Sequence, residues 1–257
     1  MKRVDCCVLA CLVSSLEVLL VIPAVAADAD RLRPKRTVAP AVVSVAFAPD
    51  GSWLAAARNR EIVIIDVGAG AVRETLAGAE NPVNALAVSP DGRHVAAGEG
   101  EAGAAGAVLV WEIGKPEPRR MTGHSDSIYA VAFSPDGARL VTASYDKLLI
   151  LWNLATGEPV ATLKHHTGPV FSAQFSPDGK SIVSGGADQT VKLWNAETGE
   201  RILTLGEATK GVNAAAFHPQ GIELAAAGAD RTIRLYEWNG TTARFKRGTI
   251  AHDAPIL

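Results

Sequence analysis

One short motif recurs along this chain at nearly constant spacing, and nothing else in the sequence constrains the fold as strongly. Ala-Pro-Asp-Gly at 48–51 is followed by Ser-Pro-Asp-Gly at 89–92, 134–137 and 176–179, then by His-Pro-Gln-Gly at 218–221. The prolines Pro49, Pro90, Pro135, Pro177 and Pro219 stand 41, 45, 42 and 42 residues apart. A period near 42 is too long for a heptad and matches a unit of several strands. Each motif reads as a turn: Pro presets the first backbone angle, Asp suits the next position, and Gly takes the left-handed conformation that closes a bulged hairpin.

The segments between the turns share one plan. An alternating run such as SIYAVAF (127–133) or PVFSAQF (169–175) precedes the turn, with the period of two of a half-buried strand. A second strand follows, RLVTAS (139–144) or SIVSGG (181–186), and a third, LLILWN (148–153) or TVKLWN (190–195). Ala-Thr-Gly (155–157) or Glu-Thr-Gly (197–199) then leads into a fourth short strand. No stretch of 38–257 has helical periodicity. Four short antiparallel strands, repeated, make the blade of a β-propeller.

Leu-Trp-Asn at 151–153 and 193–195, Val-Trp-Glu at 110–112 and Gly-His at 123–124 resemble the WD-repeat β-propeller family over about residues 38–257. The resemblance implies an all-β chain of four-stranded blades in units of about 38–77, 78–120, 121–163, 164–206 and 207–250. It also implies that each sequence repeat begins with the outer strand of one blade and supplies the inner three of the next. Residues 251–257 match the run from Gly123 to Tyr129, pairing His252 with His124, so a sixth inner strand is expected to begin there. The ring is expected to be incomplete and the chain to be an N-terminal fragment. Three units depart from the pattern. The first has Ile65 where Trp would stand, on a third strand one residue out of step; the second carries an insertion, EGEAGAAGA (99–107); the fifth has Tyr236 in place of Trp.

His124, Thr142, Asp146 and Trp152 recur 42 residues later as His166, Ser184, Asp188 and Trp194. The resemblance implies a chain of hydrogen bonds through each set, from indole N–H to hydroxyl, hydroxyl to imidazole, and imidazole to carboxylate. A His, a hydroxyl and an Asp also suggest a hydrolase, but duplication of the whole set with its Trp favours a structural role. In the fifth unit the equivalents are Ala208, Ala226, Asp230 and Tyr236, which reads as a dismantled network, and Ala79 replaces the His in the second. Blades three and four are therefore expected to be the most rigid. His165 and His166 are neighbours that would point to opposite faces of an extended strand, so no metal site is read there. The turns at 155–157 and 197–199 lack the following Trp of quinone-cofactor propellers. The Gly-rich insertion opens no helix and has no Lys-Ser or Lys-Thr, so it fails as a phosphate loop and reads as a surface loop. No cofactor is expected.

The three cysteines, Cys6, Cys7 and Cys11, all lie in the first eleven residues. A basic start, an apolar run from Cys6 to Ala27 and small residues at 24–27 are the parts of a secretory signal peptide, cut after Ala26 or Ala27. The alternative is an uncleaved membrane anchor over 6–27. Residues 27–37 form a short lead segment. The processed chain is cysteine-free, which excludes disulfides, thiol catalysis and Cys-ligated metals. Its net charge of −2, with both signs dispersed, gives no nucleic-acid footprint and no polybasic membrane patch.

These readings converge on an extracytoplasmic, non-catalytic scaffold that binds a protein or peptide. The alternatives are a propeller enzyme (hydrolase, lyase or quinone-dependent) and a sensory or docking module fused to a domain beyond Leu257. In the resembled family, the entrance to each inner strand and the residue before the turn Asp line one face. The strand-entry places are Val43, Asn84, Tyr129, Phe171 and Asn213; the places before Asp include Tyr145. Tyr129, Tyr145 and Phe171 thus gather on blades three and four, in a chain with nine Tyr and Phe in all. Exposed aromatics are common interface anchors.

Overall fold

A computed structural model describes residues 41–251 and 253–256. The expected signal and lead segments, and the matches of His252 with His124 and Leu257 with Tyr129, lie outside the described residues. Five four-stranded antiparallel sheets follow one another in chain order, and each has its strands in sequence order across it. Blade one is β1 (Val42–Phe47), β2 (Trp53–Arg58), β3 (Glu61–Asp66) and β4 (Ala71–Leu76). Blade two is β5 (Val83–Val88), β6 (His94–Glu99), β7 (Ala107–Glu112) and β8 (Arg119–Thr122). Blade three is β9 (Ile128–Phe133), β10 (Arg139–Ser144), β11 (Leu149–Asn153) and β12 (Pro159–Leu163). Blade four is β13 (Val170–Phe175), β14 (Ser181–Gly186), β15 (Val191–Asn195) and β16 (Arg201–Leu205). Blade five is β17 (Val212–Phe217), β18 (Glu223–Gly228), β19 (Thr232–Trp238) and β20 (Ala243–Ile250).

The first strand of each blade lies innermost. β1 neighbours β5, β5 neighbours β9, β9 neighbours β13 and β13 neighbours β17, with no comparable approach of β17 to β1. The five sheets therefore form an arc that does not close. Four apolar cores hold it together, one between each pair of successive blades. Into each core the third strand sends a large ring, and in the last core a second one, Trp238, joins it. Trp111 meets Ile62, Ile64 and Leu76 of blade one, and Trp152 meets Val108, Val110 and Met121 of blade two. Trp194 meets Leu149, Leu151 and Leu163 of blade three, and Tyr236 meets Val191, Leu193 and Leu205 of blade four. Removing about 200 Å² of ring from water is worth roughly 5 kcal/mol before entropy is counted.

The repeated turn forms as its residues dictate. In blade three the Gly137 N–H donates to Ser134 O at 2.8 Å, and Ser134 N–H donates to Arg139 O at 2.9 Å. Gly137 sits at φ 70°, where a side chain would be strained. Ser134 adds a clamp that the Pro-Asp-Gly pattern alone does not reveal. Its hydroxyl donates to Asp136 at 2.5 Å and accepts the Arg139 N–H at 2.9 Å. Ser89 and Ser176 repeat both bonds.

One sequence expectation needs correction. The third strand of blade one is not out of step, because Leu54 pairs with Ile65 just as Leu140 pairs with Trp152. The missing residue is absorbed in a tight turn at Asn59–Arg60, between paired Arg58 and Glu61. Asn59 takes φ 54°, a left-handed conformation that asparagine tolerates well.

Candidate functional site

The two polar sets assemble as bonded chains beneath one end of blades three and four. Trp152 Nε1–H donates to Thr142 Oγ1 at 2.9 Å, Thr142 Oγ1 meets His124 Nε2 at 2.7 Å, and His124 Nδ1 meets Asp146 Oδ2 at 2.9 Å. With the indole proton pointing at the hydroxyl, the hydroxyl proton goes to Nε2 and the ring proton to Asp146. Blade four repeats the chain at 2.9, 2.8 and 2.9 Å through Trp194, Ser184, His166 and Asp188. Asp146 and Asp188 also accept the N–H of Ser125 and Thr167, which fixes the loop entering each blade. Burial alone would raise Asp188, but hydrogen bonds from His166 and Thr190 outweigh it and hold the carboxyl well below its usual range. Burial keeps His166 below the ordinary histidine value, against the opposing pull of Asp188.

These chains are poorly placed to act on a substrate. Thr142 and Ser184 are fully buried, and each hydroxyl is held between an indole and an imidazole. His166 has both ring nitrogens engaged, and the adjacent His165 ring stacks 6.1 Å from Trp194.

Blade two solves the same loop-fixing problem with different residues. Ala97 stands in register with the hydroxyl position, so Trp111 Nε1–H donates to Ala77 O at 3.0 Å. Glu99, fully buried, accepts the N–H of Glu80 at 2.8 Å and of Asn81 at 3.2 Å, and pairs with Arg120. It supplies the carboxylate that Asp146 supplies in blade three. Sequence reasoning missed it because the insertion displaces the expected Asp; the visible signal is a Glu ending the apolar strand HVAAGE. The insertion itself is more than a surface loop. A Cβ on Gly106 would lie 2.3 Å from Asp126 O, and one on Gly100 would lie 2.6 Å from Ser127 Cα. The loop therefore rests directly on the strand entrance of blade three.

Blade five corrects a second expectation, since its network is rebuilt and not dismantled. Asp230 accepts from Thr209 N–H at 3.0 Å and from Arg234 at 2.7 Å. Burial would raise Asp230, but these bonds bring it down to about 2. Tyr236 reaches Glu207 at 3.1 Å, and its hydroxyl pKa is raised first by burial and then by that carboxylate.

Above the bonded chains, the arc places aromatic side chains together at the strand entrances. Tyr129 lies 6.1 Å from Tyr145 and 5.9 Å from Phe171, with the Phe171 ring edge-on at 88°. Tyr129 and Tyr145 are 42% and 47% exposed although their rings also meet at a tilt of 46°. Their backbone is fixed, because Tyr145 N–H donates to Ser127 O at 2.9 Å and Ser144 Oγ donates to Asp126 O at 3.0 Å. The other strand-entry residues are not part of this cluster. Asn84 donates its amide to Gly100 O at 3.1 Å, Asn213 donates to Ile256 O at 2.7 Å, and Val43 is exposed on blade one. The two Asn side chains act as pins for neighbouring backbone.

Comparison with known proteins agrees with this architecture. The family model "WD domain, G-beta repeat" matches residues 33–66, 70–112, 116–153, 157–195 and 199–237. From the second match onward, each begins at or just before the outer strand of one sheet and ends with the third strand of the next. Among curated relatives, the Notchless protein homolog of Arabidopsis thaliana is 39% identical over 61 residues, 23% of this chain and 13% of that protein. An uncharacterised WD repeat-containing protein of Synechocystis is 33% identical over 128 residues, 48% of this chain and 34% of its own length. The COMPASS component SWD3 of Saccharomyces cerevisiae is 28% identical over 121 residues, 47% of this chain and 37% of its own. The chain spans well under half the length of each. With five repeat matches covering more than half of its residues and a four-stranded sheet at every match, the chain belongs to the WD-repeat family.

Proposed function

We propose that this protein is a non-catalytic scaffold that captures a protein or peptide on the strand-entrance end of blades three and four, in an extracytoplasmic compartment reached through the N-terminal signal segment. The observation that carries the binding reading is the Tyr129–Tyr145–Phe171 cluster, in which Tyr129 and Tyr145 are exposed and Phe171 is half-buried. Aromatic side chains give large contact area at low entropic cost, and they dominate interface energetics when surrounded by a rim that excludes water. The cluster stands on the two blades with complete bonded chains, so little is lost in ordering it when a partner arrives. Membership of a family that includes a component of the COMPASS assembly is consistent with a role in binding proteins.

The test is capture of partners from a periplasmic extract by the wild-type protein and by the Tyr129→Ala/Tyr145→Ala/Phe171→Ala variant. Loss of a partner from the variant with unchanged melting supports the reading. Equal capture by both proteins overturns it. Compartment is tested separately by fractionation and N-terminal sequencing, which should find a chain starting at Ala27 or Asp28. A chain retaining Met1 in the cytoplasmic fraction contradicts the extracytoplasmic assignment.

A further inference from the structure

Blade five ends its third strand differently from the two blades before it. In blades three and four that strand stops at Asn153 and Asn195, each paired with the first residue of the second strand, and the chain turns there. In blade five the equivalent pair is Glu223 with Glu237, but the hairpin continues through paired Trp238 and Ala243 before it turns at Asn239. The tip therefore stands two residues, about 7 Å, beyond the earlier turns. Trp238 is buried in the core shared with blade four and anchors the root of this extension. Asn239, Gly240, Thr241 and Thr242 are all exposed, and a Cβ built on Gly240 would meet nothing within 4 Å.

The tip reads Asn239-Gly240-Thr241. Of the seven asparagines in the sequence, Asn239 alone is followed two residues later by Thr or Ser. Asn-x-Thr, with x other than Pro, is the acceptor pattern for N-linked oligosaccharide, and it is used on surface loops of exported proteins. The turn geometry adds what the pattern alone does not. Asn239 Oδ1 accepts the Thr241 N–H at 3.1 Å, the Thr242 N–H at 2.8 Å and the Thr241 hydroxyl at 3.2 Å. All three bonds fall on the oxygen, and Nδ2 has no bonded partner among the described residues. By contrast, the side-chain amides of Asn84 and Asn213 are spent on backbone carbonyls. Asn153 and Asn195 form similar turns, but Ala155 and Glu197 stand where the hydroxyl is needed.

We propose that Asn239, on the folded hairpin, is an acceptor for N-linked oligosaccharide delivered from a polyprenyl-diphosphate carrier by a transferase. In that transfer Nδ2 attacks the anomeric carbon of the first sugar. An N–C bond forms, the C–O bond to the diphosphate breaks, polyprenyl diphosphate leaves with that electron pair, and Nδ2 gives up one proton to a base on the transferase. The turn between third and fourth strands lies at the end of the blade opposite its strand entrance, so a glycan there leaves the aromatic cluster uncovered. Modification in the cell rests on the extracytoplasmic location proposed above, whereas the acceptor geometry does not.

The experiment mixes the purified full chain with an oligosaccharyltransferase and a polyprenyl-diphosphate oligosaccharide, then reads intact mass and peptide maps. Asn239→Gln, Thr241→Val and Thr241→Ser are run alongside, with melting as the fold control. The wild type should gain one oligosaccharide on the peptide holding Asn239. Thr241→Ser should keep the gain, and Asn239→Gln and Thr241→Val should lose it. No gain on the wild type under conditions that modify a short Asn-Gly-Thr peptide overturns the proposal. A gain that survives Thr241→Val, a gain seen only after the chain is unfolded, or deamidation of Asn239 alone overturns it equally. Because the components are mixed outside the cell, the result is independent of compartment. Transfer to a chain whose cellular form keeps Met1 in the cytoplasmic fraction removes the extracytoplasmic reading and leaves the acceptor site standing.

Discussion

Replacing Thr142 by Val keeps the shape of the side chain and removes only its hydroxyl. Two buried groups then lose their partner at once: the Trp152 indole N–H, bonded at 2.9 Å, and His124 Nε2, bonded at 2.7 Å. A buried polar group left unsatisfied costs about 1–3 kcal/mol, and the two losses share one network, so a total of about 2–5 kcal/mol is expected. For a domain of this size each kcal/mol moves the melting temperature by about 2–4 °C, which places the variant about 4–20 °C below wild type by scanning calorimetry. Thr142→Ser is the control, since it keeps the hydroxyl and loses one methyl group worth about 1 kcal/mol. If Thr142→Val melts with the wild type, or if Thr142→Ser falls as far as Thr142→Val, the bonded chain does not stabilise the blade.

Acid should act in two steps. His166 titrates below its ordinary value in the fold, so the unfolded chain takes up that proton first, and stability falls as pH drops below about 6.5. Asp146, Asp188 and Asp230 are all lowered, so their contribution is complete above about pH 4 and is lost below it, for Asp230 down to about 2. Melting curves from pH 8 to pH 3 check both, and His166→Gln should remove the upper step. In blade five, Asp230→Ala leaves the Arg234 guanidinium, 11% exposed, without its carboxylate and is expected to cost about 3 kcal/mol. Asp230→Ala combined with Arg234→Met should cost less than the single change in the same denaturation assay. Gly106→Ala would force the insertion off the Asp126 carbonyl, and amide exchange at 100–106 should speed up while blade four is unchanged.

The repeat made the architecture legible because turn chemistry and strand alternation are local. Pro135, Asp136 and Gly137 announce a hairpin whatever lies around them, and the indole at Trp152 finds Thr142 because both are fixed by one strand pairing. The aromatic cluster was legible through the resemblance, which implied that Tyr129, Tyr145 and Phe171 stand at positions lining one face, and their rings do meet. What stayed hidden depends on contacts between segments of irregular spacing. Glu99 takes over the role of an Asp from a position two residues earlier along the register, and its partner Arg120 lies two strands away. Arg234 looks like a misplaced charge until Asp230 is seen beside it at 2.7 Å. The exposure of Val42 and Phe47 is not visible in the residue types, since at the same registers Val83, Val170, Val212, Phe175 and Phe217 are buried and Phe133 is half-buried.

The aromatic cluster carries the functional account, and one affinity measurement tests it most directly. Titration calorimetry of a captured partner against the wild type and against Tyr129→Ala should show binding weakened at least about tenfold, the effect of losing an anchor worth more than about 1.4 kcal/mol. Melting of the variant should stay with the wild type, because Tyr129 is 42% exposed. An unchanged Kd in a folded Tyr129→Ala variant, repeated for Tyr145→Ala and Phe171→Ala, would contradict the account.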